Sequence, residues 1–196
     1  MWIDLSITLN QNTTRWPNSS PFIIQTKTEN TCTNSVLTCS THAGTHIDAP
    51  LHFIENGLKI NQIPLSDLCG LTQVISVSSD QINPDHLQNI SAPKVIFKTN
   101  NYVDGEFNAD YCFITPEAAR RLVDLKVQLI GVDYLSIENF YDKQFTSHHI
   151  LLRSGIIIIE GLNTDHVQEG LYEMIALPLK IEAEASPARV IVRPLE

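Results

Sequence analysis

The sequence predicts an α/β domain preceded by an extended β arm, and three features carry that prediction. Five short apolar runs of strand length follow residue 70, helical segments lie between some of them, and the first forty residues are rich in aromatic and β-branched positions. The 196 residues contain no internal repeat, low-complexity stretch or Pro/Gly/Ser-rich linker, so a single domain spanning 1–196 is expected.

Taken in order, Trp2 to Ile7 and Phe22 to Thr28 read as strands, separated by a loop from Asn10 to Pro21 packed with Asn, Thr, Ser and Pro. Ser35 to Ser40 adds a third strand to the arm. Thr72 to Val77, Lys94 to Lys98, Val127 to Val132, Ile156 to Ile159 and Val190 to Val192 are too continuously apolar for half-exposed strands, and suit a sheet covered on both faces. Thr115-Pro116-Glu117 offers an N-cap, a proline at the first helical position and an acid in the first turn. Ala118, Ala119, Leu122 and Val123 give the helix behind it one apolar face. Ser147 is placed to cap a shorter helix through Leu151 and Leu152, which Gly155 ends.

Composition narrows the partners. Hydrophobic residues at 43% and charged residues at 18% exclude a disordered chain. Thirteen basic against twenty-two acidic side chains give a net charge of −9, with no basic footprint for nucleic acid. The longest apolar run, Gly155 to Ile159, stops at Glu160, well short of the roughly 18 residues that span a bilayer, so no membrane partner is expected. MWIDLSITLN lacks a basic start and an apolar core, and reads as a strand rather than a signal peptide. Cys32, Cys39, Cys69 and Cys112 form no CxxC pair and are expected as reduced thiols, which points to the cytoplasm.

The chemistry concentrates in THAGTHIDAPLH, residues 41–52, where His42, His46 and His52 fall within eleven residues and Asp48 lies among them. His42 and His46 have the spacing of a helical HExxH zinc site, but position 43 is Ala, so that motif's general base is missing. Gly44, Thr45, Ile47 and Pro50 also oppose a helix. In an extended segment His46, Asp48 and His52 point to one side. His42 rejoins them if Gly44 adopts a conformation closed to other residues. Two imidazoles and a carboxylate suit Zn²⁺, Mn²⁺ or Fe²⁺. A second cluster, Ser147-His148-His149 and then Glu160-Gly161, ends an apolar strand in an acid, which needs a cation, hydrogen bonds or water. Carboxyl ends of strands are also where open α/β sheets bind ligands.

These residues resemble the HxGTHxDxPxH signature of the cyclase family of metal-dependent hydrolases, which includes kynurenine formamidases and isatin hydrolases. Ile3-Asp4-Leu5-Ser6 resembles the family's opening strand, Lys98-Thr99-Asn100 its strand-end Thr segment and Gly131-Val132-Asp133 its Gly-Ile-Asp turn. His148 to Leu152 and Ile159-Glu160-Gly161-Leu162 are similar to its late metal-binding block.

The resemblance implies a swivelling α/β domain with a central mixed sheet, helices on its faces and an N-terminal β arm. It also implies a homodimer or homotetramer acting on a small-molecule substrate. His42, His46 and Asp48 match metal ligands, Asp48 bridging to a second ion that His148 and Glu160 complete. One or two divalent ions per chain, Zn or Mn, are therefore expected. His52 matches the acid/base histidine, and His149 and Trp16 are expected to border the substrate. Where kynurenine formamidases tend to carry Trp-Pro-Gly-Asp, this chain has Trp16-Pro17-Asn18-Ser19. The implied reaction is hydrolysis of the C–N bond of an amide, aryl formamide or cyclic amide.

Two other readings explain less. A non-haem iron oxygenase would use His46, Asp48 and His148 but leaves His42, His52 and Glu160 without a role. A non-catalytic metal-binding module leaves His52 without one.

Overall fold

The computed structural model describes residues 1–99, 101 and 105–195; Asn100, from the strand-end Thr segment, lies outside them. Twelve strands are present among the described residues: β1 (Ile3–Asp4), β2 (Ile23–Glu29), β3 (Cys32–Thr38), β4 (His46–Asp48), β5 (Cys69–Ser76), β6 (Gln81–Ile82), β7 (Lys94–Lys98), β8 (Phe113–Ile114), β9 (Leu129–Val132), β10 (Ile157–Glu160), β11 (Gly170–Pro178) and β12 (Ala185–Pro194). The α-helices are α1 (Leu65–Leu68), α2 (Pro116–Asp124) and α3 (Thr146–Arg153).

The central sheet is mixed, as expected, and it closes on itself. Its order is β1-β12-β11-β5-β7-β9-β10-β4, and β4 also pairs with β12, so the strands from β12 round to β4 form a barrel. Strands β5, β7, β9 and β10 run parallel, whereas β11, β12 and β4 join them antiparallel. Closure explains why the parallel strands are apolar on both faces. Ile96, Leu129, Ile157 and Ile159 point inward and pack with Ile47 and Val74 of the adjoining strands and Met174 and Val190 from farther round the barrel. Val95, Phe97, Ile130, Val132 and Ile158 point outward, under Ala118, Ala119 and Leu122 of α2 and Leu151 and Leu152 of α3. Helices therefore cover the outer face, and the barrel's own far wall covers the inner one.

Local signals hold at α2, where the Thr115 side chain accepts the Ala118 N–H at 3.1 Å. They fail at α3. The Ser147 hydroxyl is buried and donates to the Ile114 carbonyl at 2.7 Å, and the helix is entered from Phe145 in a left-handed conformation, φ +51°. The free N–H groups of Ser147 and His148 go instead to the carboxylate of Glu138. Gly155, φ +79°, does follow the helix end. The predicted Trp2 to Ile7 strand shrinks to β1 plus an isolated bridge between Ser6 and Leu162. Strand β11 was not signalled, because Glu173 interrupts its apolar pattern.

The arm hairpin of β2 and β3 is exposed along its whole length. Its two bases run directly into the segments that carry Trp16 and Ser40.

Two glycines bring β4 and the end of β10 together. Gly44 has φ +59° and Gly161 φ +70°, and a side chain on Gly161 would collide with the Gly44 carbonyl. Gly161→Ala is expected to destabilise the fold by about 2 kcal/mol or more, from left-handed strain and overpacking together. Chemical denaturation checks this; an unchanged midpoint would contradict it.

Candidate metal centre

The pairing of β10 with β4 builds the site. In this antiparallel register Glu160 lies opposite His46 and Ile158 opposite Asp48, so the three polar side chains share the outer face while Ile47 and Ile159 fill the barrel. Helix α3 then lowers His148 onto the same face. Glu160 Oε1 stands 3.2 Å from His148 Nε2, and Glu160 Oε2 is 3.3 Å from His46 Nε2. Asp48 Oδ1 lies 3.0 Å from His42 Nδ1 and 3.6 Å from His46 Nε2, and Asp48 Oδ2 is 3.9 Å from His148 Nε2. His42 reaches the cluster because Gly44 takes the left-handed conformation that the sequence requires of it.

The segment after β4 departs from the extended reading. Pro50–His52 is a 3-10 turn, closed by the His52 N–H on the Ala49 carbonyl at 2.9 Å, with proline at its first position. The turn still brings the His52 ring to 4.3 Å from that of His42 and 6.2 Å from that of His148.

Every clustered imidazole has its outer nitrogen held. His46 Nδ1 lies 2.9 Å from the Gly44 carbonyl, His148 Nδ1 3.0 Å from Glu138, and His42 Nε2 3.3 Å from Glu184, whose carboxylate also accepts the Thr41 hydroxyl. Such partners fix ring orientation and leave the other nitrogen free for a ligand. Glu138 and Glu184 are candidate site residues that the sequence reading missed. The cue to Glu138 is an acid after the apolar Ile137; Glu184 lies between Ala183 and Ala185, two residues after Glu182, and reads as solvated surface.

Burial and charge set the protonation. Burial works against a charged His46, but Glu160 and Asp48 outweigh it and push the imidazole up to about 9. Glu138, Glu160 and Asp48 likewise overcome burial at His148, raising it to about 10. Burial acts to raise Asp48, yet His42, with Nδ1 3.0 Å from Oδ1, and the positive charge of His46 hold it well below the usual carboxylate range. His52 moves the other way. Burial, with the charges of His42 and His148, pushes it down to about 4.

The donor set fits a divalent ion. His46 Nε2 and both Asp48 oxygens are buried and have no hydrogen-bond partner among the described residues. One donor atom each from His42, His46 and Asp48 lie within 4.8 Å of one another, and so do donors from Asp48, His148 and Glu160. Ligands about 2.0–2.2 Å from an ion stand roughly 3–3.5 Å apart, close to the separations seen here.

The cluster forms the floor of a cavity of about 390 Å³, walled by Trp16, Ser19, Ser40, Phe53, Leu135, Ser136 and Phe145, with His52 at its side. Trp16 is backed by Phe107 at 5.2 Å and Phe140 at 5.5 Å. Asn18 carries φ +68°, a conformation that Asn tolerates in place of glycine. His149 is not among the wall residues. Its ring packs edge-on against Phe53 at 5.2 Å, and its buried Nδ1 has no partner.

Residues 3–139 match the Cyclase family model. The chain belongs to the cyclase family. It is 38% identical over 204 residues to a kynurenine formamidase of Bacillus cytotoxicus, an alignment that takes in 99% of this chain and 98% of that protein. A solved structure described as a potential metal-dependent hydrolase with cyclase activity superposes with a TM-score of 0.88 at 33% identity, covering 100% of this chain and 98% of the other. Isatin hydrolase A from Labrenzia aggregata shares the fold, with a TM-score of 0.84 at 23% identity over 100% of this chain and 94% of that one. Among the described residues no helix is long and apolar enough to cross a membrane.

Metal uptake is expected to displace protons from the clustered histidines. With His46 raised to about 9 and His148 to about 10, both imidazoles carry protons at pH 7 in the metal-free chain. Binding is expected to release at least one proton, and affinity to rise as pH goes from 7 to 9. Calorimetry in buffers of different ionisation heat measures this; a pH-independent affinity would contradict it.

Proposed function

We propose that this metal-dependent amide hydrolase cleaves the C–N bond of an aryl formamide, the bond named by its kynurenine formamidase relatives. The observation that carries the reading is the pairing of two kinds of histidine around one cavity. His42, His46 and His148 have their outer nitrogens fixed and face Asp48 and Glu160, whereas His52 stands beside them, pushed down to about 4 and outside the donor set.

In this reading His42, His46 and Asp48 hold one divalent ion, and Asp48, His148 and Glu160 hold a second. Zinc and manganese both suit the donors. Such an ion, when bound, lowers the pKa of water toward neutrality and polarises the scissile carbonyl. The chain's own residues do the rest. Trp16 offers its ring face to the aryl group, supported from behind by Phe107 and Phe140. Neutral His52 accepts one proton of the attacking water and returns it to the departing nitrogen, so the C–N bond breaks with release of a neutral amine and formic acid, which then ionises to formate by losing a proton to solvent. His149 braces Phe53 at the edge of the substrate space.

The whole chain acts as one domain in the cytoplasm, as a homodimer or homotetramer. The arm hairpin supports self-association, since Ile23, Ile24, Val36 and Leu37 are 43–63% exposed along it.

His52→Ala is expected to keep the parent's metal content and lose about a hundredfold or more in kcat on an aryl formamide, with little change in KM. Steady-state kinetics with metal analysis decide it. Undiminished turnover would refute the acid/base role, and loss of metal would make His52 a ligand.

A further inference from the structure

We infer that Glu138 is a positioning residue that sets the His148 half of the centre, gripping one ligand while its immediate neighbour grips another. The inference rests on the metal-ligand reading of His148 and Glu160 given above.

Glu138 is 2% exposed, and a carboxylate buried to that extent requires compensation. Its partners all belong to one end of α3. Oε1 accepts the Ser147 N–H at 3.2 Å, and Oε2 accepts the His148 N–H at 3.0 Å. Oε2 also stands 3.0 Å from His148 Nδ1. The first two contacts replace the missing helix cap, because Phe145 at the entry offers no side-chain acceptor. The third fixes the imidazole about its own axis and turns Nε2 toward Glu160 and Asp48. A carboxylate on the outer nitrogen also makes the inner one a better donor to a cation.

The adjoining residue acts on the other ligand. The Ile137 N–H donates to Glu160 Oε1 at 2.8 Å, so Ile137 and Glu138 between them hold both ligands that lie outside the His42–Asp48 stretch. The segment is itself pinned. The Ser136 hydroxyl accepts the Glu138 N–H, the Ile114 N–H donates to the Ile137 carbonyl, and the Tyr111 hydroxyl donates to the Glu138 carbonyl at 2.6 Å. The other half differs in kind. His42, His46 and Asp48 come from one continuous stretch, with His46 oriented by the backbone carbonyl of Gly44. The Ile137–Glu138 strap therefore governs the half of the centre assembled across distant parts of the chain.

The test measures metal affinity, by competition of the full chain with a chelator for Zn²⁺, in the parent, Glu138→Gln, His148→Ala and the double variant. Glu138→Gln keeps the shape and an oxygen for the helix N–H groups but removes the charge. It is expected to weaken the binding step that His148→Ala weakens, by about 10–100-fold. The double variant is expected to bind no more weakly than His148→Ala alone, because Glu138 acts through that imidazole. A mere helix cap would lower the thermal midpoint without this coupling. Parent-like affinity in Glu138→Gln, or losses that multiply in the double variant, would overturn the inference. Parent-like affinity in His148→Ala would show that His148 is no ligand, which fails the functional reading and the inference with it. If Glu138→Gln does not fold, Glu138→Asp is read by the same criterion, with a smaller loss expected.

Discussion

Asp48 has no solvent exposure, and neither of its oxygens has a hydrogen-bond partner among the described residues, although three imidazoles stand within 3.9 Å. A buried carboxylate in that position is costly by several kcal/mol unless positive charge offsets it. Much of the structure around it serves that need. Strand β4 is only three residues long, yet it pairs with β10 on one side and β12 on the other, so the strand that presents Asp48 also closes the barrel. Ile47 between the two site residues is fully buried inside the barrel. A shift of one residue in this register would exchange the isoleucine for His46 and Asp48.

The close approach of two backbones follows from the same constraint. Gly44 turns left-handed to return His42 to the cluster, and its carbonyl orients His46. Gly161 must lack a side chain because it lies against that carbonyl, while Glu160 next to it faces the centre. Asp133, at the end of β9, uses its buried carboxylate differently. It is satisfied by the Thr99 N–H and by the hydroxyls of Thr99 and Thr164, tying together the ends of β7, β9 and β10. Two buried acids, on strands separated by β10, thus differ: Asp133 is saturated by the chain's own donors, and Asp48 has no hydrogen-bond donor among the described residues.

The local part of this arrangement is legible in the sequence. Gly44, Pro50 and the β-branched residues exclude a helix over 42–52, and the acid after an isoleucine run marks Glu160 as needing a partner. The apolar runs gave the parallel strands because burial on both faces leaves a continuous pattern. Barrel closure was not legible, since the same apolar face packs equally well on helices or on a far wall. Strand β11 escaped because Glu173 and the exposed Leu171 and Leu177 break both a periodic and a continuous pattern. Glu138 and Glu184 escaped because an outer partner is defined by what it touches, and neither lies near its histidine along the chain. The cap of α3 was misassigned to Ser147 for the same reason: a distant carboxylate replaced the local hydroxyl.

The central claim is that Asp48 is left open for a cation held jointly with His42 and His46. Anomalous X-ray diffraction from crystals grown with Zn²⁺ or Mn²⁺, collected at that metal's absorption edge, addresses it most directly. The account predicts a strong anomalous peak within about 2.3 Å of His42 Nδ1, His46 Nε2 and an Asp48 oxygen. A saturated crystal with no peak beside Asp48, or with its metal bound elsewhere, would contradict it.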